Sequence, residues 1–152
     1  DVTGRIGGIL TEPVAGRGAA YADYDRDGDL DILVTVADGP AHLWRNELSE
    51  GNALRVHLQG SPSNTNGYGS EVIAKIGDTK IRRRIKAGGS YLSHSESAAT
   101  FGSLQRELAD SLTINWSSGK TQHFTDIPLN QEIVISEDSS LTVTRKFQRN
   151  LQ

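Results

Sequence analysis

An acidic segment between positions 23 and 31 carries the side chains best suited to bind an ion: Asp23, Asp25, Asp27, Asp29 and Asp31. Carboxylates this close repel one another, and a hard cation with several oxygen ligands relieves that repulsion. The first three aspartates occupy positions one, three and five of a calcium-binding loop, and Gly28 occupies position six, where the backbone turns sharply. The spacing predicts that the five aspartates bind Ca²⁺; the alternative is an acidic surface turn without metal.

The residues on either side of the aspartates indicate which kind of loop they form. In an EF-hand, a glutamate at position twelve binds the ion from a loop between two helices, whereas Val34 holds that position here. Residues 30–36 are rich in β-branched side chains, which is typical of a strand. We therefore expect the loop to join two strands, and the ion to stabilise structure rather than to take part in catalysis.

The composition narrows the class of protein. A chain of 152 residues with a net charge of −3 and 36% hydrophobic residues suits one ordinary globular domain and gives no sign of nucleic-acid binding. No apolar run approaches the roughly 20 residues that span a bilayer. The chain has no Cys, which excludes disulfides and thiolate chemistry, and no Met, so we expect a fragment or processed part of a longer protein.

Short alternating segments separated by turn residues predict an all-β fold. In residues 53–59, for example, Leu54, Val56 and Leu58 alternate with polar side chains, as on a half-buried strand. About ten such segments follow one another, which favours a β-sandwich. We predict a polar connection over residues 87–100, a helical turn over residues 104–110, and Tyr91 and Trp116 among the core or inter-sheet residues.

Two stretches of the sequence resemble known families. Residues 18–46 resemble an FG-GAP/VCBS repeat, the integrin-type unit of a β-propeller, in the aspartate loop and in the segments Leu30-Asp-Ile-Leu-Val34 and Leu43-Trp-Arg-Asn46. Residues 53–137 resemble an ASPIC/UnbV domain, in motifs that include Gly67-Tyr-Gly69, Gly88-Gly-Ser-Tyr-Leu-Ser93 and Asn115-Trp-Ser-Ser-Gly119. Departures from that family's pattern are Ser70, His94 and Ser117, where Ala, Gln and Pro are frequent.

The resemblance implies a domain organisation. It implies a β-sandwich over residues 53–137, preceded by a single propeller-blade-like hairpin with its calcium loop over residues 18–50. Residues 1–17 would be a lead-in or edge strand, and residues 138–152 a C-terminal extension or strand. One isolated blade would leave its edges and faces uncovered, so we expect it to pack on the sandwich, on another chain, or on blades outside this sequence.

The resemblance also implies a function class. It indicates an extracellular, secreted or cell-surface, calcium-stabilised interaction module for adhesion or assembly, with a protein or glycan partner and no enzymatic activity. One alternative is a self-assembling filament or matrix subunit, in which residues 1–17 or 139–152 add a strand to a neighbouring copy. Another is a glycan-binding accessory domain of a carbohydrate-active protein.

A basic stripe is the strongest second candidate for binding. Lys80, Arg82, Arg84 and Lys86 alternate along one predicted strand. They form either a solvated face or a contact for sulfated or uronic glycans or for an acidic partner. The loop with Asn64, Asn66, Tyr68 and Ser70 is interpreted as turn chemistry, with ligand binding as the alternative.

Catalytic signals are weak. The four histidines, His42, His57, His94 and His123, have no metal-ligand spacing, and the segment Ser93-His-Ser-Glu96 places neighbouring side chains on opposite faces of an extended chain. A hydrolase would need two carboxylates about 5–9 Å apart, and nothing in the sequence brings Glu71, Glu96 and Glu137 together. Asn115 begins an N-glycosylation sequon inside a predicted strand.

Overall fold

The computed structural model describes residues 13–47, 50–62, 64–138 and 141–147. Within these ranges the chain forms eleven β-strands and no helix, so the all-β prediction is confirmed. The strands are β1 (Gly16–Ala22), β2 (Asp31–Val36), β3 (His42–Trp44), β4 (Asn52–Gln59), β5 (Glu71–Ile76), β6 (Thr79–Arg84), β7 (Ala98–Ser103), β8 (Leu108–Asn115), β9 (Thr121–Pro128), β10 (Gln131–Ser136) and β11 (Leu141–Lys146).

The strands form three open sheets, none of which closes into a barrel. Sheet A has the order β1-β2-β3, sheet B the order β11-β10-β4-β7, and sheet C the order β6-β5-β8-β9. Neighbouring strands are antiparallel except β4 and β10, which run parallel. Strand β11 lies within the predicted C-terminal extension, and it pairs with β10 of the same chain.

The hydrophobic core consists of the inward side chains of sheets B and C. It includes Leu54, Val56 and Ile133 from sheet B and Leu112 and Ile114 from sheet C, all fully buried. Each such side chain stabilises the fold by about 1.5–3 kcal/mol relative to an exposed one. Two sheets packed over a shared core form the predicted β-sandwich, and Trp116 is part of that core, 4% exposed.

Three local predictions are wrong. The polar connection over 87–100 ends early, because β7 begins at Ala98 and turns Ala99 and Phe101 into the core. The helical turn over 104–110 does not form, because its last residues pair with β9 as the start of β8. Tyr91 is 70% exposed rather than in the core.

Sheet A packs against sandwich elements through backbone and side-chain contacts. The backbone N–H of Tyr21 in β1 donates to Oγ of Ser95, and the carbonyl of Tyr21 accepts from the N–H of Glu96. The packing of the blade-like unit on the sandwich was one of the arrangements expected from the sequence. None of the described segments forms a helix with the length and hydropathy needed to cross a membrane. Predictions for residues 1–12 and 148–152 lie outside the described residues.

Candidate metal centre

The acidic loop between β1 and β2 is shaped by its own first aspartate. Oδ1 of Asp23 accepts the backbone N–H of Asp27, and Oδ2 accepts that of Gly28, both at 3.1 Å. Gly28 has a φ of +103°, and a Cβ built on it would lie 2.7 Å from Cδ2 of Phe147. The sharp turn predicted at position six therefore needs glycine for its backbone angle and for the close approach of Phe147.

The structure brings three of the five predicted ligands together. One carboxylate oxygen from each of Asp23, Asp25 and Asp27 lies within 4.8 Å of the others. Asp31 is 2% exposed, and its two oxygens accept the backbone N–H groups of Tyr24 and Asn46 at 2.8 Å. The carboxylate of Asp31 thus joins the loop to the chain after β3, and the assignment of all five aspartates as ligands stays a prediction.

Two carboxylate oxygens of the loop lack hydrogen-bond donors. Oδ1 of Asp25 and Oδ1 of Asp29 are shielded from solvent and accept no hydrogen bond within the described part of the chain. Oδ2 of Asp25 lies 2.5 Å from Nε of Arg45 as an ion pair. Buried oxygens without donors are costly, and a hard cation accepts them as ligands. The donor set therefore fits Ca²⁺.

The electrostatics of the loop disfavour its full ionisation without a cation. Burial, followed by repulsion from Asp27, raises the pKa of Asp29 from 3.8 to about 7. Burial also raises the pKa of Asp23, although the guanidinium of Arg55 and the N–H of Gly28 act in the opposite direction. A bound divalent cation would reverse these shifts by favouring the charged carboxylates.

Arg55 connects the acidic loop to the sandwich. Its side chain is only 4% exposed, and Nη1 lies 2.7 Å from Oδ2 of Asp23 and 3.3 Å from Oε2 of Glu132 on β10. Nη2 donates to Oε2 of Glu96, in the segment before β7. One buried guanidinium thus contacts three carboxylates from three different parts of the chain.

The sequence reading missed Arg55 as a functional residue. It treated Arg55 as the exposed side of a half-buried strand, whereas four consecutive residues of β4, from position 53 to 56, are buried. The alternation correctly predicts that Arg55 points away from the core, but Asp23 of the acidic loop and Glu96 contact its guanidinium on that side and bury it. The sequence contains one signal for a buried arginine: Arg55 stands between two core residues, Leu54 and Val56, and the sequence assigns it no partner.

An open cleft of about 860 Å³ borders the loop on its other side. Asp25, Asp27 and Asp29 line it, together with Arg45 and with Arg145 and Lys146 of β11. The candidate ion site is therefore accessible to solvent from this cleft.

The remaining candidates each have their own local partners. Glu71 pairs with Arg82, Glu96 with Arg55, and Glu137 with Ser118. His94 lies near Ser97 and edge-on to Tyr68, and Ser95 is engaged with Tyr21, so the 93–96 segment forms no nucleophile–base–acid chain within the described residues.

The polar loop before β5 uses its side chains internally. Oδ1 of Asn64 accepts the N–H of Tyr68, and its Nδ2 donates to the carbonyl of Tyr68 and to Oγ of Ser117. Ser70 is fully buried and accepts from the N–H of Ser117. This is the turn chemistry that the sequence favoured. The sequon residue Asn115 lies in β8 and donates from Nδ2 to Glu71 at 3.4 Å.

The fold and this loop define a class of protein, an all-β sandwich preceded by a three-stranded unit with an acidic loop. The family model described as ASPIC and UnbV matches residues 60–142, and the chain belongs to this family. The match confirms the resemblance predicted from the sequence for the sandwich. It starts after the acidic loop, so the FG-GAP/VCBS assignment of residues 18–50 stays a prediction.

Two curated relatives match three quarters or more of this chain. Cartilage acidic protein 1 of Xenopus tropicalis is 30% identical over 146 residues, which cover 89% of this chain and 22% of the relative. Cartilage acidic protein 1 of Mus musculus is 31% identical over 119 residues, which cover 75% of this chain and 18% of the relative. The chain thus spans about a fifth of the length of these relatives.

Proposed function

We propose that this chain is a calcium-stabilised interaction module of an extracellular protein, with a role in adhesion or assembly and no catalytic activity of its own. The acidic loop binds one Ca²⁺, and the ion holds sheet A against the sandwich. The likeness to cartilage acidic protein 1 supports an extracellular location, where free Ca²⁺ is high enough to fill sites with dissociation constants of about 10⁻⁴–10⁻³ M.

One observation carries the proposal: shielded carboxylate oxygens without donors converge in the loop. Asp25 and Asp29 each offer one such oxygen, Oδ1. One ligand atom from each of Asp23, Asp25 and Asp27 lies within 4.8 Å of the others. An acidic surface turn without metal would leave its carboxylates hydrated, because exposed carboxylates are best solvated by water.

The blade-like unit is proposed to be the last FG-GAP/VCBS repeat of a propeller. Both faces of sheet A expose apolar side chains, with Tyr21 and Ile32 in one cross-strand row and Leu33 and Leu43 in the next. Adjacent positions of a strand point to opposite faces. A unit that is apolar on both faces suits a position between neighbours. We propose that preceding blades of a longer chain pack on the face of sheet A that the sandwich leaves uncovered.

Self-assembly by strand addition is the less favoured candidate. The described part of the C-terminal extension, β11, already pairs with β10 of its own chain. Strand donation by that segment would require breaking five register pairs first. A single species at the monomer mass in light scattering at high protein concentration is expected.

Calcium titration of the chain by calorimetry, with thermal melts in Ca²⁺ and in EDTA, tests the proposal. We expect a dissociation constant of about 10⁻⁴–10⁻³ M and a higher melting temperature in Ca²⁺. Asp25→Asn keeps the side-chain shape but removes the negative charge that faces Arg45 and the proposed ion, and it should abolish both effects.

Asp38→Asn is the matched control. Asp38 lies in the β2–β3 turn with a φ of +57°, a conformation that Asn adopts readily, and the change removes the same charge at the end of β2 opposite to the acidic loop. Calcium binding in the control should equal that of the unchanged chain. No calcium binding by the unchanged chain, or equal loss in both variants, would sink the proposed calcium site.

A further inference from the structure

The outer face of sheet C is a solvent-facing surface built from three cross-strand rows. The inward positions of its strands, among them Val72, Ala74, Leu112 and Ile114, belong to the core. Because side chains alternate across a strand, the positions between them point outward. The rows are Lys80-Lys75-Ser111-Thr125, Arg82-Ile73-Thr113-His123 and Arg84-Glu71-Asn115-Thr121. We call these twelve positions the outer face of sheet C.

Positive charge is concentrated at one side of this face. Lys75, Lys80, Arg82 and Arg84 lie on the neighbouring strands β5 and β6, and all four are exposed. Only Arg82 pairs with the single acidic residue of the face, Glu71, at 3.4 Å. Within the described residues no ion pair is recorded for the other three. This cationic patch lies on a chain whose net charge is −3, so the two signs of charge are segregated on the molecule.

Hydroxyl and amide groups cover the rest of the face. The strands β8 and β9 contribute Ser111, Thr113, Asn115, Thr121 and Thr125 to the same three rows. Such side chains both donate and accept hydrogen bonds. The only aliphatic member, Ile73, is 8% exposed because its neighbours cover it. The surface thus offers cations and short polar groups, with no exposed apolar anchor.

We propose that the outer face of sheet C binds a linear polysaccharide that carries sulfate and carboxylate groups. Charge complementarity selects a polyanion: Lys80, Arg82 and Arg84 stand at alternate positions of one strand, about 6.6 Å apart, and meet successive anionic groups along a chain. The hydroxyl and amide side chains of β8 and β9 donate hydrogen bonds to the hydroxyl groups of the sugar and accept hydrogen bonds from them.

Other polyanions fit this face less well. A protein partner usually needs a buried aromatic or aliphatic anchor, and the face exposes none. Single-stranded nucleic acid binds through aromatic stacking, and His123, whose Nδ1 lies 3.0 Å from Oγ1 of Thr113, is the only ring among the twelve positions.

A groove extends the patch beyond the edge of sheet C. An open groove of about 820 Å³ lies between strand β6 and sheet A. Arg82, Arg84 and Lys86 line one side of it, and Gly88 and Gly89 leave open space at its end. A polysaccharide running off the edge strand can therefore continue along this groove, where Lys86 extends the series of cations.

Binding of the full chain to immobilised heparin, a sulfated uronic polysaccharide, tests the inference. We expect saturable binding in Ca²⁺-containing buffer that weakens as salt rises from about 0.1 M to about 1 M, because the screening length falls from about 10 Å to about 3 Å. Neutral dextran should not bind. Polyglutamate at equal charge should bind more weakly than heparin, because it lacks hydroxyl partners.

The variant Lys80→Gln with Arg84→Gln removes two cations that lack ion pairs and keeps most of each side-chain stem. We expect about tenfold weaker heparin binding. This is the change produced by the loss of two exposed ionic contacts whose free energies lie in the upper part of the usual range for such contacts. The matched control is Arg17→Gln with Arg106→Gln, which removes the same charge from two exposed positions outside the outer face of sheet C and outside the cleft beside the acidic loop. Its binding should stay within about twofold, a free-energy change within the usual range of a surface substitution.

Each outcome has a defined meaning. Loss in the sheet C variant alone, with its melting temperature unchanged, supports the proposed site. No heparin binding, equal loss in both variants, or polyglutamate binding as tight as heparin would overturn it. The inference rests on the proposed role as an interaction module but does not use the calcium site. Intact Ca²⁺ binding without heparin binding therefore refutes only this site, and the converse result refutes only the calcium site.

Discussion

At the scale of single residues, one buried guanidinium and a set of crowded carboxylates determine how the acidic loop behaves. Arg55 offsets the charge of Asp23 from the sandwich side, and it does so at 4% exposure, where an unpaired charge is expensive. Asp25 contacts the half-exposed Arg45 through Oδ2, but Oδ1 of Asp25 and Oδ1 of Asp29 have no donor. Arg55 therefore offsets part of the negative charge of the loop on the sandwich side, and the other side of the loop is open to a metal ion.

Replacing Arg55 tests the first half of this balance. Arg55→Met should lower the free energy of unfolding by about 3–5 kcal/mol, because it leaves buried carboxylates without their cation. Urea unfolding measures the loss. The matched control Arg82→Met removes an exposed arginine, 64% accessible and also paired with a glutamate, and should cost less than about 1 kcal/mol. Similar costs for both variants would contradict a structural role for the Arg55 cluster.

Asp29 predicts a pH dependence of calcium binding. Because the pKa of Asp29 is about 7, a proton on its carboxylate competes with the cation. If binding of Ca²⁺ displaces this one proton, the calcium affinity should be about tenfold lower at pH 6 than at pH 8. Calorimetry at the two pH values measures the change. Asp29→Asn should show a much smaller dependence, and an equal dependence in this variant would assign the proton to another group.

The same pKa predicts the opposite trend for stability without metal. Because the folded-state pKa of Asp29 lies above its unfolded value of 3.8, the unfolded chain loses this proton first as pH rises. The contribution of Asp29 to stability should therefore fall between about pH 4 and about pH 7 in EDTA. Saturating Ca²⁺ should remove that fall. Comparison of the EDTA melting curves with those of Asp29→Asn isolates the contribution.

At the scale of elements, the loop, β4 and the end of β11 form one contact region. The loop places Gly28 against Phe147, which follows β11 and is 8% exposed. The N–H of Phe147 donates to the carbonyl of Asn130 in the β9–β10 turn. The acidic loop is therefore packed against both the C-terminal strand and the strand that carries Arg55.

Gly28→Ala tests this contact. The added Cβ would lie 2.7 Å from the Phe147 ring, and the alanine backbone would have to adopt a φ of +103°. The free energy of unfolding should therefore fall by about 1–3 kcal/mol, and the variant should bind Ca²⁺ more weakly. Urea unfolding and calcium titration measure both effects. Gly88→Ala, where an added Cβ has nothing within 4 Å, should change neither; an equal effect there would argue against a specific Gly28 contact.

At the scale of the whole molecule, sheet A and the sandwich are coupled through charged and backbone contacts more than through a shared apolar core. The core cluster draws on sandwich strands and the turns next to them, whereas sheet A is attached through Asp23, Tyr21 and Gly28. Such an attachment should depend on salt, on pH and on the bound ion more strongly than the sandwich itself does.

The two tryptophans of the chain can measure this coupling separately. Trp44 lies in sheet A and Trp116 in the sandwich core, so Trp44→Phe and Trp116→Phe each leave one reporter. In Ca²⁺ the fluorescence transitions should coincide, as a two-state unit requires. In EDTA the Trp44 signal should change at lower urea. Coincident transitions in both conditions would mean that Ca²⁺ is not what joins sheet A to the sandwich.

Local patterns were enough for much of the fold. Strand periodicity predicted most strands and the sandwich class, because side chains alternate with backbone geometry regardless of context. The spacing of Asp23 to Asp27 and the position of Gly28 predicted the loop shape for the same reason. Strand β7 was missed, because its small and polar residues carry little hydrophobic signal by themselves.

The sequence by itself determined the strand order along the chain and the acidic loop, since both depend on neighbouring residues. Only the tertiary structure decided that Arg55 is buried among three carboxylates, and that Asp31 accepts backbone N–H groups while Oδ1 of Asp25 is shielded and has no donor. It alone aligned Lys75 and Lys80 with the hydroxyls of β8 and β9 on one face. These arrangements join residues far apart in sequence, and strand register and sheet packing, which local patterns do not encode, set their distances.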